Sequence, residues 1–225
     1  MSSRLICGVD DAGRGCIFGP LFIAGAAMTE QIAIELQAEG VKDSKLLTPQ
    51  QRERLFDIIK EKATRYTVLP INPAEVDEYV RRRQKHTKLN YLEAIYMARA
   101  VNQLPGEVAY IDASDTDVKF FASQVQENIR RDVSIVAVHH ADRLFPVVSA
   151  ASILAKVSRD REIERIKHEL GDFGSGYPSD PKTISFLKEW MKSKGEPPPY
   201  TRLSWKTWKK LVQTTLKMDR KDTSG

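Results

Sequence analysis

Three short apolar runs in this chain each end at, or just before, an aspartate. Asp10 and Asp11 follow "RLICGV", Asp112 closes "AYID", and Asp142 comes just after "IVAVHHA". Short apolar runs bounded by turn residues read as strands. Segments with helical spacing lie between them, and strands alternating with helices predict an α/β layer fold. In such a fold, strand ends at one edge of a sheet are a natural place to gather a site.

The remaining segments fit that plan. "PLFIAGAAM" (Pro20–Met28) and "RYTVLPI" read as further strands. Thr48, Pro49 and Gln51 supply an N-cap, an N1 proline and the far half of a capping box for the helix that follows. "PAEVDEYVRRRQ", "KLNYLEAIYMARAVNQL" and "DVKFFASQVQENIR" read as helices, and "PVVSAASILAKVSRDREIERIKHEL" as a long helix opened by Pro146. The composition changes after Gly171. There a turn-rich loop, a helix, the stiff "EPPPY" and the basic amphipathic "SWKTWKKLVQTTLKM" follow one another. The division expected is a catalytic unit over 1–171 and a helical appendage over 172–225, ending in a frayed tail.

Charged residues make up 29% of the chain and hydrophobic ones 41%, ordinary values for a globular protein. No apolar run reaches the roughly 18 residues of a membrane span, and "MSSRLICGVD" lacks a signal-peptide pattern. Cys7 and Cys16 are too few for a disulfide framework, so a reducing cytoplasm is expected. A net charge of +5 permits a polyanionic partner.

Gathering the aspartates has a chemical consequence. Two unit charges about 4 Å apart repel by roughly 4 kcal/mol at an effective dielectric of about 20. A cluster of ionised carboxylates therefore needs counter-charge, and an all-oxygen donor set suits Mg²⁺ or Mn²⁺. Neighbouring residues on a regular strand point to opposite faces. Asp10 and Asp11 are thus expected to share a site only through a bend, which the following "AGRG" makes easy.

Five blocks, "GVDDAGRGCIFGPLFIAG", "KDSKLLTPQQRERL", "AYIDASD", "HHADRLFPVVSAASILAKVSRD" and "GSGYPSDPKT", together resemble the signature blocks of ribonuclease HII in its archaeal style. They occur in the family's order from about Leu5 to Thr183. The resemblance implies a ribonuclease-H-like mixed sheet flanked by helices, with a helical C-terminal region. It implies endonucleolytic cutting of RNA–DNA hybrids, and of duplex DNA 5′ to an embedded ribonucleotide, leaving a 3′-hydroxyl and a 5′-phosphate. By position it assigns metal binding to Asp10, Asp11, Asp112 and Asp142, with two Mg²⁺ or Mn²⁺ ions. It assigns reading of the 2′-hydroxyl to Gly13, Arg14 and Gly15, packing on the junction nucleotide to Tyr177, and a place near the phosphate backbone to Lys45. A monomer is expected.

One position departs from the family's pattern, which has Asp-Glu where this chain has Asp10-Asp11. The shorter side chain withdraws the carboxylate by roughly 1.5 Å. Local compensation is the expectation, because nothing else in the five blocks is altered. The competing readings are a nucleic-acid-binding protein with impaired catalysis and, more remotely, a phosphoesterase acting on small phosphates. Further candidates are His139 and His140 beside Asp142, the basic run Arg81–Lys88, and Trp205 and Trp208 among lysines. Gln213 and Leu216 form a fragment of a sliding-clamp motif without its closing aromatic pair.

Overall fold

The computed structural model describes residues 4–42, 44–84 and 88–213, and of Lys45 only the backbone. Five strands, β1 (Leu5–Ala12), β2 (Leu21–Thr29), β3 (Arg65–Ile71), β4 (Val108–Asp112) and β5 (Ser134–Val138), form one mixed sheet in the order β3-β2-β1-β4-β5. β1 runs antiparallel to β2 and parallel to β4, and β4 runs parallel to β5. The C-terminal ends of β1, β4 and β5 therefore lie along one edge, where the aspartates were expected to meet. The helices are α1 (Glu30–Ala38), α2 (Pro49–Lys62), α3 (Pro73–Arg81), α4 (Leu89–Gln103), α5 (Val118–Gln126), α6 (Ala141–Leu144), α7 (Pro146–Leu170) and α8 (Pro181–Lys194). A further helix starts at 206 and is described to 213.

Alternation along the strands sorts the core into two layers. Ile6, Ala24, Ala26, Met28 and Val108 face α7, whereas Cys7, Val9, Ile23, Ala109 and Ile111 face α4. Burying each large aliphatic side chain contributes on the order of 1.5–3 kcal/mol, so both layers hold β1 from slipping register. On the α7 side the contact is backbone against backbone. A β-carbon on Gly8 would lie 2.5 Å from the carbonyl of Val147, so only glycine lets the first turn of α7 rest on β1.

The capping box at Thr48 and Gln51 forms as the sequence predicts, and α7 spans Pro146–Leu170 as read. The sequence reading passed over α1. That helix buries only Ala33 and Leu36, too thin a stripe to stand out, and its start is marked by the Thr29 hydroxyl accepting from the Ile32 N–H. The bend expected at Asp10–Asp11 does not occur there. The β1–β2 ladder continues through both, with Asp10 opposite Ala24, Asp11 opposite Ile23 and Ala12 opposite Phe22. Backbone hydrogen bonding to β2 satisfies the strand up to Ala12, and the turn begins only at Gly13, which has φ +89°.

Residues beyond Gly171 pack on the turn between β1 and β2. Phe18 lies 4.3 Å, ring centre to ring centre, from Phe173. Ile17 N–H donates to Gly176 O at 2.9 Å, Gly19 N–H to Tyr200 O at 2.9 Å, and Arg202 N–H to Ile17 O at 2.9 Å. The loop that follows the paired aspartates is thus held by chain more than 150 residues away in sequence. No helix among the described residues is long and apolar enough to cross a membrane.

Candidate active site

Asp10 and Asp112 stand side by side. The β1–β4 register pairs Val9 with Ile111, and one further step along two parallel strands sets Asp10 beside Asp112. Both share the face of their strands that meets α7. The N–H of Ala141 donates to Asp112 Oδ1 at 2.9 Å, which draws the first turn of α6, and with it Asp142, to the end of β4. Asp142 is buried, and its carbonyl oxygen accepts the Ser149 hydroxyl of α7. His140, just before α6, adopts the left-handed conformation with φ 56°, a costly backbone choice for a non-glycine residue beside a site. His139 Nδ1 lies 3.2 Å from Ala113 O, so the two histidines frame the turn between β5 and α6.

Asp11 occupies the other face of β1. It acts electrostatically on Arg14 and Glu93, on the α4 side, as well as on Asp10. The sheet edge therefore carries Asp10, Asp112 and Asp142 from one side and Asp11 from the other.

Asp10 is only 4% exposed. Burial, then repulsion from Asp11 and Asp112, holds its carboxyl well above the ordinary carboxylate range. A hydrogen bond from Ser152 and the Asp11 N–H, 2.7 Å from Oδ1, pull the other way. The Ser152 hydroxyl in turn lies 3.0 Å from that of Ser44. Ser44, Ser152 and Asp10 thus form a chain that ties the 3-10 turn Ser44–Leu46 to the site. Lys45 lies in that turn, but its side chain is outside what the structure describes.

The donor set fits a hard divalent cation. It is oxygen-only and anionic, and Asp11 and Asp112 both repel the charge on Asp10. The carboxylates are not drawn into a closed shell. Among the described residues no three histidine, cysteine, aspartate or glutamate side chains are close enough to hold an ion by themselves.

The Gly13–Gly15 turn sits beside this edge. Tyr177 packs over Gly15, where a β-carbon would lie 3.7 Å from the tyrosine Cε1. Arg14 is not a loose surface cation. Its Nε donates to both oxygens of Glu93, at 2.9 and 3.1 Å, and its Nη2 to Asn90 Oδ1. Burial, against the opposing pull of Arg14, raises the Glu93 carboxyl to about 8. Burial also works against the charge on Arg14, yet Glu93, Asp11 and Asp115 together hold its pKa above the ordinary value. A single Nε–H is shared between the two Glu93 oxygens, and Nη2 adds a second anchor on Asn90.

Sequence reasoning missed four residues here. Glu93 and Asn90 sit in a run that reads only as a helix. Arg159 and Arg202 sit in stretches whose charges look solvated, yet both are buried. Arg202 donates to Gly19 O at 3.0 Å and Arg14 O at 2.9 Å, and Arg159 to Ser175 O and Cys16 Sγ. Burial lowers the pKa of Arg202. No signal short of knowing the tertiary contacts could have marked them. The basic run Arg81–Lys88 falls partly on residues 85–87, and the clamp-like fragment ends at Leu216. Residues 85–87 and Leu216 lie outside the described residues.

Comparison with known proteins bears directly on this edge. The family model described as Ribonuclease HII matches residues 7–208. Ribonuclease HII of Pyrococcus horikoshii is 44% identical over 211 residues, covering 92% of this chain and 93% of its own length. That of Pyrococcus abyssi is 45% identical over 210 residues, covering 92% and 91%. The crystal structure of ribonuclease H2 from Pyrococcus horikoshii superposes with a TM-score of 0.87 at 42% identity, covering 95% of this chain and all 100% of the other. An Archaeoglobus fulgidus ribonuclease HII, solved as a PCNA complex, gives 0.81 at 40% identity, covering 92% and 96%. With the family's pattern running from Cys7 to Trp208, through both the aspartate-lined edge and the chain that clasps its neighbouring turn, this protein belongs to the ribonuclease HII family of endoribonucleases.

Proposed function

We propose that this chain hydrolyses the phosphodiester bond 5′ to a ribonucleotide in duplex DNA, as well as the RNA strand of RNA–DNA hybrids, and leaves 3′-hydroxyl and 5′-phosphate ends. The observation that carries this reading is one juxtaposition. An edge lined by Asp10, Asp112 and Asp142 adjoins a glycine-flanked arginine turn covered by Tyr177.

In this reading Asp10, Asp11, Asp112 and Asp142 hold Mg²⁺ or Mn²⁺, two ions when fully loaded. Bound there, the ions supply Lewis acidity toward the scissile phosphate and its attacking and departing oxygens. The chain's own residues do the rest. Gly13, Arg14 and Gly15 approach the ribose closely and read its 2′-hydroxyl, the group that distinguishes RNA from DNA at one nucleotide. Tyr177 packs on the junction nucleotide, and Lys45 is the cation assigned to the phosphate backbone. Residues 1–171 serve as the catalytic unit, and 172–225 as the helical region that holds the reading turn.

Offering a duplex with one ribonucleotide, with and without Mg²⁺ or Mn²⁺, and mapping the cut tests this. Ion-dependent cutting 5′ to the ribonucleotide supports the reading, and cutting elsewhere or none defeats it. A second reading, binding with impaired catalysis, is favoured by the shortened Asp11 on an unbroken strand. Ribonucleotide-selective binding without turnover would support it. The Archaeoglobus fulgidus relative was solved with PCNA, and for this chain we extend the proposal to a ring-shaped clamp docked by the segment from Gln213 onward. Truncation after Val212 would then abolish co-migration with a clamp.

A further inference from the structure

We infer that Glu93, with Asn90, is a positioning residue for recognition of a single ribonucleotide, acting through Arg14. This rests on the reading of the Gly-Arg-Gly turn proposed above and adds the part that fixes its arginine.

Glu93 is completely buried, whereas the Arg14 side chain is 39% exposed. A buried glutamate needs a partner, and here the partner reaches in from the site's surface. Nε shares its N–H between both carboxylate oxygens while Nη2 donates to Asn90, and the two anchors together fix the plane of the guanidinium as well as its position. Asn90, one turn earlier on α4, takes Nη2, and its own amide donates to Asp115 beyond β4. Both Glu93 and Asn90 lie on a helix packed against the sheet, which makes them rigid supports. The backbone of Arg14 is held independently, by Arg202 Nη1 on its carbonyl oxygen. Side chain and main chain of one turn residue are thus secured from two separate elements.

Such bracing matters most where one 2′-hydroxyl must be found. A uniform hybrid offers a 2′-hydroxyl at every position of the RNA strand, so a loosened Arg14 still meets productive registers. A duplex with one ribonucleotide offers a single register. Misplacing a positioning group by about 1 Å can cost on the order of a hundredfold in rate. The cost should therefore fall chiefly on the single-ribonucleotide substrate. A pair that served only to stabilise the fold would lower activity on both substrates alike.

The test compares wild type, Glu93→Gln, Asn90→Ala, Arg14→Ala and the double variant Glu93→Gln/Arg14→Ala. It measures kcat and KM on a single-ribonucleotide duplex and on a uniform RNA–DNA hybrid, with melting temperature alongside. Glu93→Gln keeps the shape and replaces one of the two oxygens that accept from Arg14 with an amide group that cannot accept. Asn90→Ala is the second route should Glu93→Gln fail to fold. The expected result is a fall in the ratio of kcat/KM values, single ribonucleotide over hybrid, on the order of ten- to a hundredfold for Glu93→Gln. Asn90→Ala should show a smaller fall in the same direction, and the double variant should match Arg14→Ala. Losses that multiply in the double variant, or equal losses on both substrates, would overturn the role. So would an unchanged ratio in Glu93→Gln and Asn90→Ala while wild type cuts the single-ribonucleotide duplex. Failure of wild type itself to cut that duplex would instead defeat the underlying reading of the turn.

Discussion

The guanidinium of Arg159 lies 4.9 Å from the centre of the Tyr177 ring and fixes that ring over the Gly13–Gly15 turn. The arginine is itself anchored at Ser175 O, Cys16 Sγ and Asp160 Oδ1. Burial, then the proximity of Cys16, raises the pKa of the Tyr177 phenol, so it stays protonated at any working pH. Tyr177 therefore acts as a flat surface and a hydrogen-bonding hydroxyl, never as an anion.

Tyr177→Ala should consequently lower cleavage of a single-ribonucleotide duplex more than cleavage of a long hybrid. The ring's stacking is worth about 1–3 kcal/mol by analogy with base–aromatic contacts. Tyr177→Phe keeps the ring and should retain most of that selectivity. Steady-state kinetics on both substrates check this, and equal losses for Tyr177→Ala would remove the junction-specific role.

The crowding at Asp10 makes a prediction about stability as well as rate. Its carboxyl holds a proton in the folded chain at pH values where the unfolded chain has released it. Its contribution to stability is therefore greatest below the unfolded pKa of about 3.9 and declines as pH rises through the folded value. Ion-free Asp10→Asn should melt higher than ion-free wild type at neutral pH, and should lose the rise that Mg²⁺ or Mn²⁺ gives wild type. An ion at a hundred times its dissociation constant stabilises by about 2.7 kcal/mol. Both Asp10→Asn and Asp142→Asn should abolish cleavage. Near-native turnover by either would remove that residue from the ion's ligands.

Removing Arg14 should have a pH-dependent effect on stability. The Glu93 carboxyl titrates at about 8 with the arginine present, and without it only the weaker influence of Arg202 opposes the pull of burial, so the value rises further. In wild type the contribution of Glu93 to stability falls as pH rises from about 4.3, the unfolded value, to about 8. In Arg14→Ala the decline continues beyond that point. The difference in melting temperature between the two proteins should thus be larger at pH 9 than at pH 6. A difference independent of pH would mean that Glu93 does not carry the loss.

Much of this arrangement is legible in the sequence, because some signals are local. The Thr48–Gln51 capping box, the strand-end aspartates and Pro146 at the head of α7 each announce themselves within a few residues. Gly8 does not. Its requirement comes from Val147, which lies 2.5 Å from where a β-carbon would stand, and nothing nearby in sequence records that approach. Arg202 is similar, an arginine in a polar stretch whose carbonyl partners belong to a turn near the other end of the chain. The bend that would put Asp10 and Asp11 on one face is absent for a related reason. Pairing with β2 holds the strand straight through Ala12, and local glycine content carries no information about that pairing.

Asp11 is where this distinction has the sharpest consequence. The family's pattern has a glutamate there, and aspartate reaches roughly 1.5 Å less far. A shifted backbone would be one way to restore the reach, but the β1–β2 register is unbroken on both sides of Asp11. The described residues also hold no ready-made three-ligand group. Recovery of the lost reach by the ion or by a bridging water is resisted more by Mg²⁺ than by Mn²⁺, because Mg²⁺ demands near-ideal octahedral geometry at short distances. Asp11→Glu should raise the rate in Mg²⁺ by about tenfold, or about 1.4 kcal/mol of barrier, with a smaller gain in Mn²⁺. Single-turnover rates for both proteins in both ions provide the comparison. The opposing force is crowding, since Asp11 shares its face of β1 with the Arg14–Glu93 pair. An unchanged or lower Mg²⁺ rate in Asp11→Glu would mean that the site is built around the shorter side chain.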